Sequence, residues 1–449
     1  MEIPAAFHDY IYKILEDTDA KHFFESLNQS EISSIRYHPL KSCLIMEEAE
    51  SQVPWEPLAY YLSQRSNFAL DPAWHAGAYY VQESSSMILG HLCKEFLNDK
   101  PIKALDLCAA PGGKSTHLLS NLPEGSLLVS NELIPKRNKI LIENIEKWAY
   151  PNNILTKGEA KDFSFFNEYF DLVVVDAPCS GEGLFRKQPE AMLEWSENQV
   201  NQCSLRQKDI LSKIQGCVKD GGFLIYSTCT YEISENEEQV ERLLDTGAFE
   251  LIPLKVENYP GVISGFLPGT LRCWTHRVKG SGFFIALLKK IKPSTFQESL
   301  ISYRRWNWIK SKSNASITPF VAPSALDGLM QSGEYLRYFP AQYQYDLNWI
   351  ANHLSVTHFG INIGQIKNNI FSPAQGLCYT DLISPEIPYY DTEDTTLALD
   401  YLRRNDIPVN RKIANGWAVF RWNKLNLGWM KQNPSRVNNY YPMHLRLRL

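Results

Sequence analysis

Two cysteines stand in matched settings, Cys179 in Asp176-Ala-Pro-Cys-Ser-Gly181 and Cys229 in Ser227-Thr-Cys-Thr230. A thiol that ionises can attack as thiolate, and two thiols at one site can divide attack from release between them. Each cysteine follows an apolar run, Leu172 to Val175 and Phe223 to Tyr226, that has the character of a buried parallel strand. Both thiols are therefore expected just past strand ends, the edge of an open parallel sheet where ligands bind.

A second constellation lies upstream, in Ala104-Leu-Asp-Leu-Cys-Ala-Ala-Pro-Gly-Gly-Lys-Ser-Thr116. Gly112 and Gly113 let backbone approach a ligand closely, and the helix that follows presents free amide groups. Gly-Lys-Ser invites a phosphate-loop reading, but that motif needs a glycine five residues before Gly113, where this chain has Cys108. Glu132 lies about 20 residues beyond the glycines, the offset at which an acid takes ribose hydroxyls. The pair suits an adenosine moiety without a triphosphate.

These groups need a scaffold. Short apolar runs at Lys103 to Leu107, Leu127 to Asn131, Ile154 to Thr156, Leu172 to Asp176, Phe223 to Ser227 and Phe283 to Leu288 are the strand candidates. Amphipathic helices fit between them at Lys114 to Ser120, Lys136 to Lys147, Asn198 to Cys217 and Ser234 to Leu244. The alternation predicts a doubly wound α/β sheet over residues 74–290. Residues 1–73, with a helical start from Phe7 to Leu15, are expected to form a small separate unit. Ile291 to Pro323 looks like a linker, leaving a C-terminal region over 324–449.

The chain has 449 residues, 44% of them hydrophobic, and a formal net charge of −5. That average hides a basic tail: residues 401–449 carry ten Lys and Arg against the single acid Asp406. Such an excess favours a polyanion partner, while Trp417, Phe420, Trp422, Trp429, Tyr440 and Tyr441 either stack on bases or fill a small core. No apolar run approaches the roughly 18 residues of a membrane span, and no secretory leader is evident, so the cytoplasm is expected. Nine cysteines without repeated spacing argue against a disulfide framework, and no Cys-x-x-Cys or His-x-x-x-His pair suggests metal. Cys43, Cys93, Cys203, Cys217, Cys273 and Cys378 are expected to be inert.

Taken together, Asp106-Leu-Cys-Ala-Ala-Pro-Gly-Gly-Lys-Ser115, Asp176-Ala-Pro-Cys-Ser-Gly-Glu-Gly183 and Ser227-Thr-Cys-Thr-Tyr231 with its acidic Glu235-Asn-Glu-Glu238 resemble the Sun-type RNA cytosine-C5 methyltransferases. Ala76-Gly-Ala-Tyr-Tyr-Val-Gln-Glu-Ser-Ser85, Phe185-Arg-Lys-Gln-Pro189 and Gly280-Ser-Gly-Phe-Phe284 extend the likeness from about His75 to Lys290. The short N-terminal unit and the tail motifs Leu427-Gly-Trp-Met-Lys431 and Asn438-Asn-Tyr-Tyr-Pro442 are most similar to the bacterial RsmF-type enzymes.

The resemblance implies a Rossmann-like methyltransferase sheet, a small N-terminal domain of RNA-binding type and a C-terminal PUA-like α+β RNA-binding region. It implies S-adenosylmethionine as donor and formation of 5-methylcytosine in RNA, expected to be 16S ribosomal RNA or the small subunit, with transfer RNA the alternative substrate. By the same likeness Cys229 is the nucleophile, Cys179 aids product release and Asp176 meets the cytosine edge. The donor would be held by Cys108, Ala109, Ala110, Pro111, Gly112, Gly113, Lys114, Glu132, Arg137, Glu159 and Asp176. Pro178, Arg186 and Lys187 would face RNA. Two departures stand out: Gly158-Glu-Ala-Lys161 replaces the usual Asp and Gly-Arg, making Glu159 the nearest equivalent, and Arg272-Cys-Trp-Thr-His276 lacks the usual Pro before His. A monomer without metal is expected; a non-enzymatic ribosome-assembly factor and a phosphate-loop hydrolase are the competing classes.

Overall fold

The computed structural model describes residues 3–41, 46–293, 307–311 and 316–448, and a ten-stranded sheet forms its centre. Five strands are parallel: β1 (Lys103–Asp106), β2 (Leu127–Asn131), β3 (Asn153–Lys157), β4 (Phe170–Asp176) and β5 (Val218–Thr228). Beside β5 runs the antiparallel β6 (Phe283–Lys290). The spatial order β3-β2-β1-β4-β5-β6 reverses between β1 and β4. At such a reversal the connections leave in opposite directions and a crevice opens beyond the strand ends.

The strands form because both faces of the sheet are covered. Along β4, Leu172 and Val174 join one core with Leu118, Leu141, Ile145 and Trp148, whereas Val173 and Val175 join another with Leu211, Ile214, Val240 and Leu243. Side chains alternate across a strand, so a run with no polar break suits a two-sided interior. Each of the four expected helices is present, as Gly113–Asn121, Pro135–Trp148, Glu197–Ile214 and Glu237–Asp245, with a 3-10 turn at Gln215–Cys217 continuing the third.

The flanking regions are less separate than their sequences suggest. Helices Ala5–Ile14 and Asp17–Leu27 bury Phe7, Ile11 and Phe23 against Phe185, Met192, Trp195, Tyr231 and Trp274 of the central region. The N-terminal antiparallel sheet takes its last strand, Tyr79–Val81, from beyond residue 73. Part of the expected linker also folds in: Ile309–Lys310 pairs with Leu329–Ser332, and Ile317 and Val321 are buried. Ile309–Lys310 is the edge strand of a five-stranded sheet, followed by a four-stranded one that includes Gly416–Trp422 and Leu425–Gln432. From the C-terminal region, β7 (Ser355–Phe359) adds an antiparallel edge strand to β3, and helix Gln344–His353 covers the adjacent face with Leu347 and Ile350. Cys43 and the intervening linker residues lie outside the described residues.

Candidate active site

Register brings the two thiols together. In the parallel pair β4–β5, Asp176 lies opposite Ser227, so Cys179 and Cys229 follow matched positions by three and two residues. Their sulfurs are 3.1 Å apart, and both residues are half-buried. The hydrogen bond to Cys229, with burial second, pushes the Cys179 thiol well above its ordinary range. The pair can therefore hold a proton between its sulfurs, and either sulfur can be the donor.

The Asp176 carboxylate is fixed from both sides. Ser227 Oγ donates to Oδ1 at 2.9 Å, and Lys114 Nζ meets Oδ2 at 2.7 Å. Burial alone would lower the lysine's affinity for its proton; Asp176 outweighs it, and the net shift is upward. Lys114 therefore brings a held positive charge from the first turn of helix Gly113–Asn121 to the end of β4.

The glycine loop is tied to its neighbours through buried polar groups. Gly112 has φ +112°, a backbone state that favours glycine, and initiates that helix. Asp106 at the end of β1 accepts from Ser115 Oγ at 2.6 Å, while its Oδ1 has no partner. Burial, moderated by that bond and reinforced by nearby Asp176, lifts Asp106 to about 7. Arg137 Nη2 donates to Ala110 O at 2.7 Å, and its Nη1 lies 3.5 Å from Glu132. Glu132 is buried at the end of β2, accepts from Ile134 N at 2.8 Å, and retains lone pairs for a vicinal diol. Cys108 lies in the same loop with its thiol raised by burial. Ala109 and Ala110 are buried there, and Pro111 O accepts from Asn144.

Three expected contacts are placed differently. Arg186 is 9% exposed, and its donors go to the carbonyls of Gly280, Lys279 and Thr275, so the expectation that it faces RNA is corrected: it braces the chain internally. Lys187 pairs with Glu31 at 3.1 Å across the junction with the N-terminal region. Glu159 is exposed, caps the short helix Ala160–Phe165 and pairs with Lys161 at 2.7 Å. Pro178, beside the thiol, turns its carbonyl to Gln207 Nε2 at 3.0 Å.

Sequence reasoning missed several positioning groups. Asn131 donates to Leu107 O and Gly158 O and accepts from Gly158 N, pinning three strand ends together. Arg36 crosses from the N-terminal sheet to bond Thr116 Oγ1 at 2.8 Å behind the glycine loop, with its guanidinium over the Trp148 ring. Glu237 forms a buried bidentate pair with Arg272, whose Nη1 also donates to Tyr231 O at 2.7 Å. A polar side chain inside an otherwise apolar strand, such as Asn131, was the available signal; Arg36 offered none.

The C-terminal aromatics divide. Phe420, Trp429 and Tyr441 are buried, whereas Tyr440 is exposed and meets Trp417 at 4.4 Å between ring centroids. Arg411, Lys412, Arg436 and Arg448 are exposed, while Arg421 is paired with Asp391 and Arg404 donates to Tyr441 O and Asn439 O. Among the described residues no three His, Cys, Asp or Glu converge as a metal site, and no helix is long and apolar enough to cross a membrane.

Comparison with known proteins gives concordant matches to all three regions. Residues 96–289 match the family described as 16S rRNA methyltransferase RsmB/F. Residues 3–84 match the N-terminal domain of 16S rRNA methyltransferase RsmF, and 393–447 the methyltransferase RsmF PUA domain. Ribosomal RNA small subunit methyltransferase F of Salmonella agona is 33% identical over 418 residues, covering 88% of this chain and 84% of the relative. The protein of that name from Vibrio campbellii is 33% identical over 307 residues, covering 64% of this chain and 63% of the relative. The crystal structure of PH0851 superposes with TM-score 0.59 at 29% identity, covering 64% of this chain and 66% of that one. A methyltransferase homolog protein from Pyrococcus horikoshii gives 0.55 at 25%, covering 64% and 95%.

Proposed function

The chain belongs to the RsmF-type family of 16S rRNA methyltransferases, and from that premise we propose that it methylates carbon 5 of a cytosine in small-subunit ribosomal RNA. The observation that carries this reading is the pair of sulfurs 3.1 Å apart beyond β4 and β5. Carbon 5 of cytosine is a poor nucleophile. A Cys229 thiolate adding to carbon 6 forms a C–S bond and makes the ring enamine-like, so that carbon 5 can attack an electrophilic methyl group. After methylation water accepts the carbon 5 proton, the electron pair of that C–H bond re-forms the carbon 5–carbon 6 double bond, and the C–S bonding pair leaves with Cys229 as thiolate. Cys179, beside Cys229, is the group that assists this exit.

The residues around the crevice fit S-adenosylmethionine, which supplies the methyl group when bound. Glu132 has the acceptors for ribose hydroxyls, and the loop from Cys108 to Gly113 supplies backbone without bulk. Asp176, oriented by Lys114 and Ser227, faces the exocyclic edge of the base and stabilises charge as it develops. Glu159 remains the adenine-side candidate by sequence position. The target base must leave its stack to reach the thiolate. Docking of structured RNA falls to the exposed basic residues and the Trp417–Tyr440 pair of the PUA region, with Lys187 released from Glu31 to a phosphate. The enzyme acts on this reading as a cytoplasmic monomer without metal.

Cys229→Ala is expected to abolish transfer of labelled methyl to RNA while calorimetry still detects donor binding; normal turnover in that variant would refute the mechanism. Cys179→Ala is expected to accumulate a covalent protein–RNA adduct that migrates slowly on a denaturing gel, and its absence would refute the division of labour. Bisulfite sequencing of ribosomal and transfer RNA from cells with and without the gene identifies the substrate. A pure assembly factor would incorporate no methyl groups.

A further inference from the structure

The residue after each thiol is joined to the other through hydroxyls: Ser180 Oγ and Thr230 Oγ1 are 3.0 Å apart. Beyond them lie two buried carboxylates. Ser180 Oγ bonds Glu235 Oε1, and Thr230 Oγ1 bonds Glu182 Oε2. The remaining donors are neutral: Ser180 N and Gln207 Nε2 reach Glu235 Oε2 at 3.1 and 2.7 Å, and Trp195 Nε1 reaches Glu182 Oε1 at 2.6 Å. Both carboxylates are fully buried.

Glu235, Ser180, Thr230 and Glu182 form one continuous run of hydrogen-bonded oxygens. Three oxygen–oxygen contacts need three protons, but the two hydroxyls supply only two. The third must reside on one of the carboxyls. We propose that Glu182 and Glu235 are positioning residues that share one proton through Ser180 and Thr230, and that this chain holds Cys179 and Cys229 at their working separation.

Loss of that proton leaves one contact with lone pairs opposed and lets the two thiol-bearing turns part. Glu235 is the member positioned to carry it: burial first, then Glu182, lift its carboxyl to about 7. The other titratable or charged groups facing the chain are Glu232 with Tyr10 and Arg272 beyond it, Cys203 on helix Glu197–Ile214, Tyr226 of β5, Tyr231, Arg186 and the two thiols. A glutamine at 235 would satisfy the same contacts permanently, its amide donating to Ser180 Oγ and its carbonyl accepting from Ser180 N and Gln207.

The inference rests on the proposed methyltransferase reading, so the test has two independent readouts. For methyl transfer, Glu235→Gln should keep kcat near wild type at pH 7 and lack the wild-type fall toward pH 9. Ser180→Ala should lose at least about tenfold in kcat with donor KM unchanged, as expected for misplaced reacting groups. Without RNA, diamide oxidation of intact protein should join Cys179 and Cys229 into a disulfide, read as the loss of two hydrogens by mass spectrometry, at least tenfold more slowly in Ser180→Ala. If Glu235→Gln declines with pH in parallel with wild type, or Ser180→Ala alters neither kcat nor the cross-linking rate, the shared-proton chain is wrong. If wild type methylates no RNA while Ser180→Ala still slows cross-linking, the activity is wrong and the chain stands.

Discussion

Alanine at Gly183 would place a methyl group 2.4 Å from Gly282 O and 2.7 Å from Cys229 O, where ordinary contact begins near 3.4 Å. Both obstacles are backbone, so neither can rotate away. Gly183 also donates to Cys229 O at 2.9 Å and accepts from Gly282 N at 3.2 Å, which locks it between the two loops. Relieving the clash means moving the Cys229 turn by about 1 Å, and a shift of that size at reacting groups costs roughly 10²-fold in rate. Overpacking should also cost about 1–3 kcal/mol of stability. The assay is single-turnover methyl transfer at saturating donor, with calorimetry for donor binding and circular dichroism for fold. The expected result is a fall of about 10² in rate with donor affinity unchanged, because the glycine loop is a separate element. A folded Gly183→Ala protein within about threefold of wild type would show that the placement of the Cys229 turn does not govern the chemistry.

Arg36→Met removes the guanidinium behind the glycine loop and leaves Gln82 Oε1 and Thr116 Oγ1 short of a donor. It should weaken donor binding by about tenfold in calorimetry while kcat at saturating donor changes little, because the reacting groups lie elsewhere. An unchanged dissociation constant would refute this role. For Glu232, burial and then Glu182 raise the carboxyl to about 8 from an ordinary 4.5. The folded protein then retains a proton that the unfolded chain gives up, so the stability this group confers is complete below pH 4.5 and is lost as pH rises through 8. Thermal unfolding of Glu232→Gln should show a gain over wild type that grows between those limits, to on the order of 2–4 kcal/mol. A gap that stays constant with pH would refute it.

What the residues determined by themselves was local and chemical. Short apolar runs within β1, β2, β4 and β5, bounded by turn signals, marked interior strands, and the helices between them followed from their period. The glycine loop and both thiols were placed by their distance from those strand ends. Tertiary packing decided which groups met across long separations. The opposition of Asp176 and Ser227, which sets the sulfurs together, is a matter of register between strands about 50 residues apart and no local signal encodes it. Arg186 looked like a surface cation and is buried because the carbonyls of Gly280, Lys279 and Thr275 converge on it. Glu182 and Glu235, the acids that follow the two cysteines, are interior because Trp195 and Gln207, from the helical segments that lie between them in the chain, supply their donors. Even the outer edge of the sheet came from elsewhere: β7 pairs with β3 across about 200 residues, since an exposed strand edge bonds whatever segment the folded chain brings beside it.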